Sequence, residues 1–221
     1  MLRIPEIEVM DTVAEALAYD SMDFREVNSN FVQDAIALGV HGKILDVGTG
    51  TARIPIQLAQ ELQGRGIAFH ITAIDLARSM LDLAQVNVTQ AGLTAVIDLQ
   101  LADAKQLPYP EASFDAIISN SLVHHLSKPE LFFRELARLI KPTGGLLIRD
   151  LLRPDNPAQL ESLVNTYAGD ASIAQRKLFR DSLQASYTLA EIEQFFSSVS
   201  IDRIHLYQSS DRHWTAQREC L

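Results

Sequence analysis

An α/β fold, a mostly parallel sheet of seven strands with helices packed on both faces, is the class this sequence predicts. Three observations predict it. Short apolar runs rich in β-branched residues alternate with longer stretches whose apolar residues recur every three or four positions, the patterns of strand and helix in turn. A glycine-rich corner, Gly48-Thr49-Gly50, joins the first such run to the stretch after it. Polar residues end or follow four of the runs, at Asp46, Asp75, Asp103 and Ser119-Asn120, and parallel strands deliver their carboxyl ends to one edge, where ligands bind.

The 221 residues suffice for one well-buried domain with a small elaboration, not two ordinary ones, so residues 1–221 read as a single unit. With 47% hydrophobic and 21% charged residues, the composition is that of a globular protein. No apolar run approaches the roughly 18 residues that span a bilayer. The amino end has no basic stretch leading into an apolar core, so no membrane span and a cytoplasmic location are expected. A net charge of −9 argues against a general nucleic-acid binder, which needs a basic stripe to displace counterions. Cys220 is the only cysteine, so neither a disulfide framework nor a thiolate metal site can form within one chain; an inert thiol on a frayed tail is expected.

Residues 1–22 are mixed and acidic, with a short helix expected over 11–19. Over 24–38, Phe24, Val27, Phe31, Ala35 and Leu38 recur on one helical face. Ile44, Leu45 and Val47 then form a strand suited to burial on both faces, with Asp46 at its end. Gly48 and Gly50 permit positive φ and close approach of a ligand to the backbone, and a helix over 52–63 presents free N–H groups at its start. This corner is either a nucleotide-type ligand site or a bare strand-to-helix turn. A dinucleotide fingerprint, G-x-G-x-x-G, would place a small residue where Arg53 stands. A carboxylate beside the turn also suits a cationic or amine-bearing ligand better than a diphosphate.

The run Asp46-x-Gly48-x-Gly50-x-Ala52 resembles the first motif of class I S-adenosylmethionine-dependent methyltransferases, with Ala52 at a small position that is usually glycine in that family. The resemblance implies a Rossmann-like three-layer sandwich, S-adenosylmethionine as cofactor, and Asp46, Gly48, Thr49 and Gly50 around its methionine end. It also implies that residues 1–40 form a helical cap over the cofactor, with Tyr19, Asn28 and Asn30 as candidates to face it.

A second run, 67–74, ends at Asp75. A carboxylate there can accept hydrogen bonds from two ribose hydroxyls, with Leu76 beside it, or can cap the helix that begins near Ala77 or Arg78. That helix, 79–91, points Met80, Leu83 and Val86 or Val88 inward. A third strand over 95–101 leads to Ala102-Asp103-Ala104. The resemblance gives Asp103 the adenine amino group, with Ala104 and Leu107 against the ring. The fourth strand begins with Phe114 and Asp115, which look structural, and ends in Ser119-Asn120, the last of the cofactor-binding candidates.

Ser127-Lys-Pro-Glu130 has the pattern of a capping box opening a helix to about residue 140, and Lys141-Pro-Thr-Gly-Gly145 ends it before a fifth strand over 146–148. The Leu-Ile-Lys-Pro-x-Gly-Gly run is a further likeness to the same methyltransferases, which thus extends over residues 43–150. Helical stretches over 158–167 and 171–185 resemble the lid insertion, here 151–187, of the ubiquinone/menaquinone methyltransferase-like branch. Tyr167, Arg176, Phe179 and Arg180 are candidates to line its wall, and a small-molecule acceptor is the implied partner. Thr188-Leu-Ala-Glu191 is a second capping box, and 199–207 with 213–218 should form an antiparallel pair at the sheet edge. Between them lies a turn at Asp211-Arg212, with Trp214 packed on the sheet and His213 open to an acceptor contact.

Methyl transfer from a sulfonium needs an aligned acceptor, exclusion of water and, for a neutral hydroxyl or amine, a base. His124 and His125, just beyond the fourth strand, are the candidate catalytic bases, His124 facing the acceptor with His125 beneath. On a helix their rings would diverge by about 100°. No metal centre is expected, because adjacent histidines lack the three- or four-residue offset of helical ligands and no Cys or carboxylate cluster surrounds them in sequence. Ser119-Asn120-Ser121-Leu122 also lacks the Asn/Asp-Pro-Pro-aromatic run with which nucleic-acid amino methyltransferases hold a flipped base. A small organic acceptor is therefore expected, against the alternatives of a non-catalytic S-adenosylmethionine-binding protein or an NAD(P)-dependent oxidoreductase.

Overall fold

Strands β1 (Gly42–Val47), β2 (Phe69–Asp75), β3 (Ile97–Leu101), β4 (Phe114–Asn120), β5 (Ile140–Leu151), β6 (His205–Gln208) and β7 (His213–Arg218) make one sheet in the order β3-β2-β1-β4-β5-β7-β6. The computed structural model describes residues 1–6, 11–22 and 24–221. Strands β1 to β5 are parallel to one another, and β7 runs antiparallel to both β5 and β6. The last strand of the chain therefore sits one place in from the edge, with β6 outside it. Strand order reverses between β1 and β4, which opens a crevice at their carboxyl ends.

Alternation along β1 divides the core into two layers. Leu45 and Val47 join Phe132, Phe133 and Trp214 on one face, whereas Ile44 joins Phe31, Leu58 and Leu62 on the other; all nine are fully buried. The first layer is covered by helices α5 (Pro129–Leu139) and α8 (Leu189–Ser197), the second by α2 (Arg25–Ala37), α3 (Arg53–Gly64) and α4 (Arg78–Gln90). A β-branched run buried on both sides thus produces the expected three-layer sandwich. On α4, Met80, Leu81, Ala84 and Val88 face inward while Val86 is exposed, so Val88 is the inward member of that pair.

Two further groups of helices stand over the carboxyl edge. Helix α1 (Val13–Asp20) opens with a capping box of Thr12 and Glu15 and packs Ala16 against Ala77 and Met80. Helices α6 (Pro157–Ala168) and α7 (Ile173–Ala185) bury Leu160, Leu163, Val164 and Leu183 against Leu151 at the end of β5. Residues 1–6 strap onto this pair: Ile4 N–H donates to Gln184 O at 3.0 Å, and the Arg3 guanidinium lies 4.0 Å from the Tyr187 ring centroid. The parts of the 1–40 cap at residues 7–10 and 23 lie outside the described residues.

Several local expectations are corrected. Pro129 is the first residue of α5 and Lys128 its N-cap, without a side-chain cap bond. Ser127 is thus one position too early and Glu130 one too early for a capping box, because the proline sets the register. The box at Thr188 and Glu191 does form. The strand expected from residue 199 begins only at His205, and β5 extends through Leu151. The carboxyl tail is tied down, since Cys220 N–H donates to Leu38 O and Leu221 N–H to Thr143 O, each at 2.9 Å.

Candidate active site

The turn after β1 is held against β2 by its own backbone. Gly48 and Thr49 both donate N–H to Ile74 O at 2.9 Å, and Gly50 N–H donates to Asp75 Oδ2 at 2.8 Å. Gly48 has φ +78°, and a Cβ there would stand 3.0 Å from the Leu122 side chain, so only glycine keeps this wall open. Ala52 also occupies the left-handed region, at φ 64°, with its methyl group fully buried. A side chain in that conformation costs about 1–2 kcal/mol. The departure from glycine at this position is therefore a matter of backbone strain as well as packing.

Three acids surround this turn in different states. Asp75 accepts from Gly50 with one oxygen and from Ala77 N–H, 2.9 Å away, with the other. Ala77 is the N-cap of α4, which has no side-chain cap bond, so Asp75 closes a turn ahead of the helix instead of capping it, and lone pairs remain on both oxygens for a ligand. Burial raises the pKa of Asp75, against the hydrogen bonds from Ala77 and Gly50. Asp46 is 3% exposed, and its Oδ2 has no hydrogen-bond partner among the described residues. Burial pushes its pKa up to about 7, with the Asp75 charge adding to the rise. The neighbouring Thr49 hydroxyl pulls downward, but Thr49 Oγ1 is itself buried and outside hydrogen-bond geometry. Asp103 is partly exposed, 3.2 Å from Lys105 Nζ, and accepts the Lys105 N–H.

The cleft they border is lined by Gly48, Gly50, Asp75, Leu76, Asp103, Ala104 and Asn120, among others, and bounded by Tyr19 and His125. Asp46 and Thr49 lie beneath its floor, not on its surface. Ser119 is fully buried and donates its hydroxyl to Val47 O at 2.8 Å, tying β4 to β1. Leu107 is buried in the core outside the cleft, its N–H donating to Glu135.

A second cavity, of about 540 Å³, lies between the leading helices and the lid. Tyr19, Asn120, Ser121 and His125 line both spaces. Asn28, Tyr167, Phe179, Arg212 and His213 line the second alone, whereas Asn30 is exposed and lines neither. Arg176 and Arg180 instead bind α7 to α6, through Asn165 and Glu161. The Arg212 guanidinium stacks 3.3 Å from the Tyr167 ring centroid, and Asp211 accepts the Tyr167 hydroxyl. Burial, then Arg212, pushes the pKa of His213 down to about 4, so its ring is neutral at ordinary pH.

The two adjacent histidines do not diverge. They sit in a 3-10 turn, Val123–His125, with ring centroids 4.1 Å apart and planes inclined by 35°. His124 is 4% exposed, with Nδ1 2.6 Å from Asp150 Oδ1 and its backbone N–H donating to Asp150 Oδ2 at 3.0 Å. Burial depresses the His124 pKa, but the charge and hydrogen bond of Asp150, with Glu6 behind them, raise it overall. Glu6 Oε1 lies 3.3 Å from His124 Nε2 and 3.0 Å from His125 Nδ1. The expectation that no carboxylates surround this pair is therefore corrected. Asp150 ends a strand adjacent to β4, so the logic that found the other acids also applied to it. Glu6 had no signal, being 118 positions from His124 in a segment without periodicity.

Residues 45–148 match a family model described as a methyltransferase domain. Over 157 residues the chain is 33% identical to a demethylmenaquinone methyltransferase of Listeria monocytogenes serotype 4a, covering 71% of this chain and 64% of that one. It is 29% identical over 120 residues to the 27-O-demethylrifamycin SV methyltransferase of Amycolatopsis mediterranei, covering 54% of this chain and 42% of that one. The chain thus spans less than two thirds of the length of these curated relatives. Its fold matches the crystal structure of a SAM-dependent methyltransferase from Aquifex aeolicus with a TM-score of 0.70 at 19% identity, over 94% of this chain and 98% of that one.

Proposed function

We propose that this chain, which carries a methyltransferase domain and the fold of S-adenosylmethionine-dependent methyltransferases, methylates a small organic acceptor held beneath its lid. The observation that carries the reading is the shared wall. Tyr19, Asn120, Ser121 and His125 border both the glycine-cornered cleft and the lid cavity, so a donor in one meets an acceptor in the other.

The residues of the cleft fit the cofactor. Gly48 leaves open the space a Cβ would fill against Leu122, and Asp46 keeps a buried carboxylate oxygen that has no partner among the described residues, suited to a cationic amino group acting through the turn above it. Asp75 has spare lone pairs for ribose hydroxyls, with Leu76 beside it, while Asp103 and Ala104 form the adenine end. Thr49 supports the turn from below. Asn120 faces the cleft, and Ser119 acts from behind it by fixing β4 on β1. Bound there, S-adenosylmethionine supplies a methyl group already activated on a sulfonium. The protein's task is alignment and exclusion of water, and α1, α2 and the helical lid supply residues that line the cavity for it.

His125 borders both spaces, and His124, pinned by Asp150, lines the lid cavity beside it. The pair takes the proton of a neutral acceptor. A cytoplasmic location, with residues 1–40 as cap and 151–187 as lid of a single domain, completes the reading. Calorimetric titration with S-adenosylmethionine, followed by assay of S-adenosylhomocysteine release across hydroxyl, amine and carbon-acid acceptors, tests it. Specific binding and turnover that His125→Ala reduces at least a hundredfold are expected. Binding without transfer to any acceptor would favour a non-catalytic binding protein, and absence of binding would end the proposal.

A further inference from the structure

We propose that Glu6, His124 and His125 form a binding site for a divalent transition-metal ion in the wall of the acceptor cavity. One ligating atom from each residue lies within 4.8 Å of the others. Glu6 Oε1 stands 3.3 Å from His124 Nε2 and 3.0 Å from His125 Nδ1. Ligands bonded at about 2.0–2.2 Å in tetrahedral or octahedral sites are separated by roughly 2.9–3.6 Å, so the two contacts to Glu6 already have the spacing an ion imposes.

The surroundings are built for the same purpose. Asp150 engages His124 Nδ1 at 2.6 Å, which turns the lone pair of Nε2 toward Glu6. A carboxylate on the far nitrogen is the usual partner of a metal-bound histidine. The Ser182 hydroxyl reaches the Glu6 carboxylate at 3.3–3.4 Å from the other side. His125 Nδ1 is buried and, despite its 3.0 Å distance from Glu6, takes part in no hydrogen bond among the described residues. A proton on His124 Nε2 serves its contact with Glu6, while the His125 Nδ1 contact stays outside hydrogen-bond geometry. An ion at the point of convergence serves all three ligands.

Two imidazoles and one carboxylate select zinc, iron(II) or cobalt(II) over magnesium and calcium, and three protein ligands leave coordination positions open. His124 and His125 both line the lid cavity, so those positions face the acceptor space. The part of the inference that concerns the acceptor rests on the function proposed above. It assigns an acceptor bearing an oxygen ligand, a hydroxyl or a phenol. Bound through that oxygen, the acceptor loses its proton to water, and His125 serves as a ligand in place of a free base.

The test uses the full-length protein stripped of metal by chelator dialysis, then titrated with cobalt(II) by visible spectroscopy and with zinc(II) by calorimetry. One equivalent of each ion is expected to bind, and Glu6→Gln and His125→Ala are each expected to weaken binding at least tenfold while retaining the parent's cooperative thermal unfolding. If one variant fails to fold, as judged by that transition, the other decides. No stoichiometric uptake by the wild type, or uptake unchanged in the folded variants, would overturn the site. Methyl transfer that persists in the stripped protein would overturn its role toward the acceptor. Metal uptake by a protein that does not bind S-adenosylmethionine would sink the methyltransferase reading and leave the metal site standing.

Discussion

Asp150 holds His124 through two bonds at once, one to the ring nitrogen at 2.6 Å and one to the backbone N–H at 3.0 Å, and both residues are almost fully buried. The end of β5 thereby fixes the turn that follows β4. Removing one partner from such a pair strands the other, a loss of about 3–5 kcal/mol. Asp150→Ala should lower the denaturant midpoint accordingly, with an unchanged slope. A loss below about 1 kcal/mol would show that the pair does not hold the turn.

Asp46 should give the protein a distinctive pH response. Its folded pKa is about 7, above the ordinary carboxyl value, because burial opposes ionisation. A group whose folded pKa is raised contributes stability that is complete below its unfolded pKa and lost as pH rises through the folded one. The loss from this residue alone falls between about pH 4 and 7 and amounts to roughly 4 kcal/mol. Asp46→Asn should flatten that part of the stability profile in the ligand-free protein. Stability profiles of the two proteins that coincide from pH 4 to 8 would contradict the buried, partnerless state of Asp46.

The same group should couple to cofactor binding. A cationic amino group near Asp46 favours the carboxylate, so binding should release a proton and the affinity for S-adenosylmethionine should increase as pH rises from 6 to 8. Calorimetry in buffers of different ionisation enthalpy measures the proton directly. In Asp46→Asn that component of the proton release should vanish and the affinity fall about tenfold or more.

Gly48→Ala places a methyl group 3.0 Å from Leu122 at a backbone φ of +78°. The left-handed conformation alone costs about 1–2 kcal/mol. The added methyl also narrows the cleft, so cofactor affinity should drop by a larger factor than stability does. Equal binding by the variant and the parent protein would remove Gly48 from the site.

Ser119→Ala separates support from contact. Its hydroxyl is directed at Val47 O and not at the cleft. The substitution should cost about 1 kcal/mol of stability and leave cofactor affinity within twofold of the parent. A tenfold loss of affinity in a stably folded variant would show direct contact with the ligand.

The sequence by itself determined the layered α/β architecture, the glycine corner and the acids at the strand ends. These are local patterns: two-sided burial of Ile44, Leu45 and Val47 requires helices on both faces, and parallel strands carry Asp46, Asp75 and Asn120 to one edge wherever the connecting helices pack. Tertiary structure alone decided which face each of those residues presents. The two-residue period of β4 sends Ser119 to the Val47 carbonyl and Asn120 to the cleft, and a proline moved the start of α5 one residue past its apparent cap. It also decided what stands beside the histidines. Glu6 reaches them only because the leading strap lies along the lid, and no periodicity can register a contact between residues 118 positions apart, since it depends on how separate elements pack and not on the path of either one.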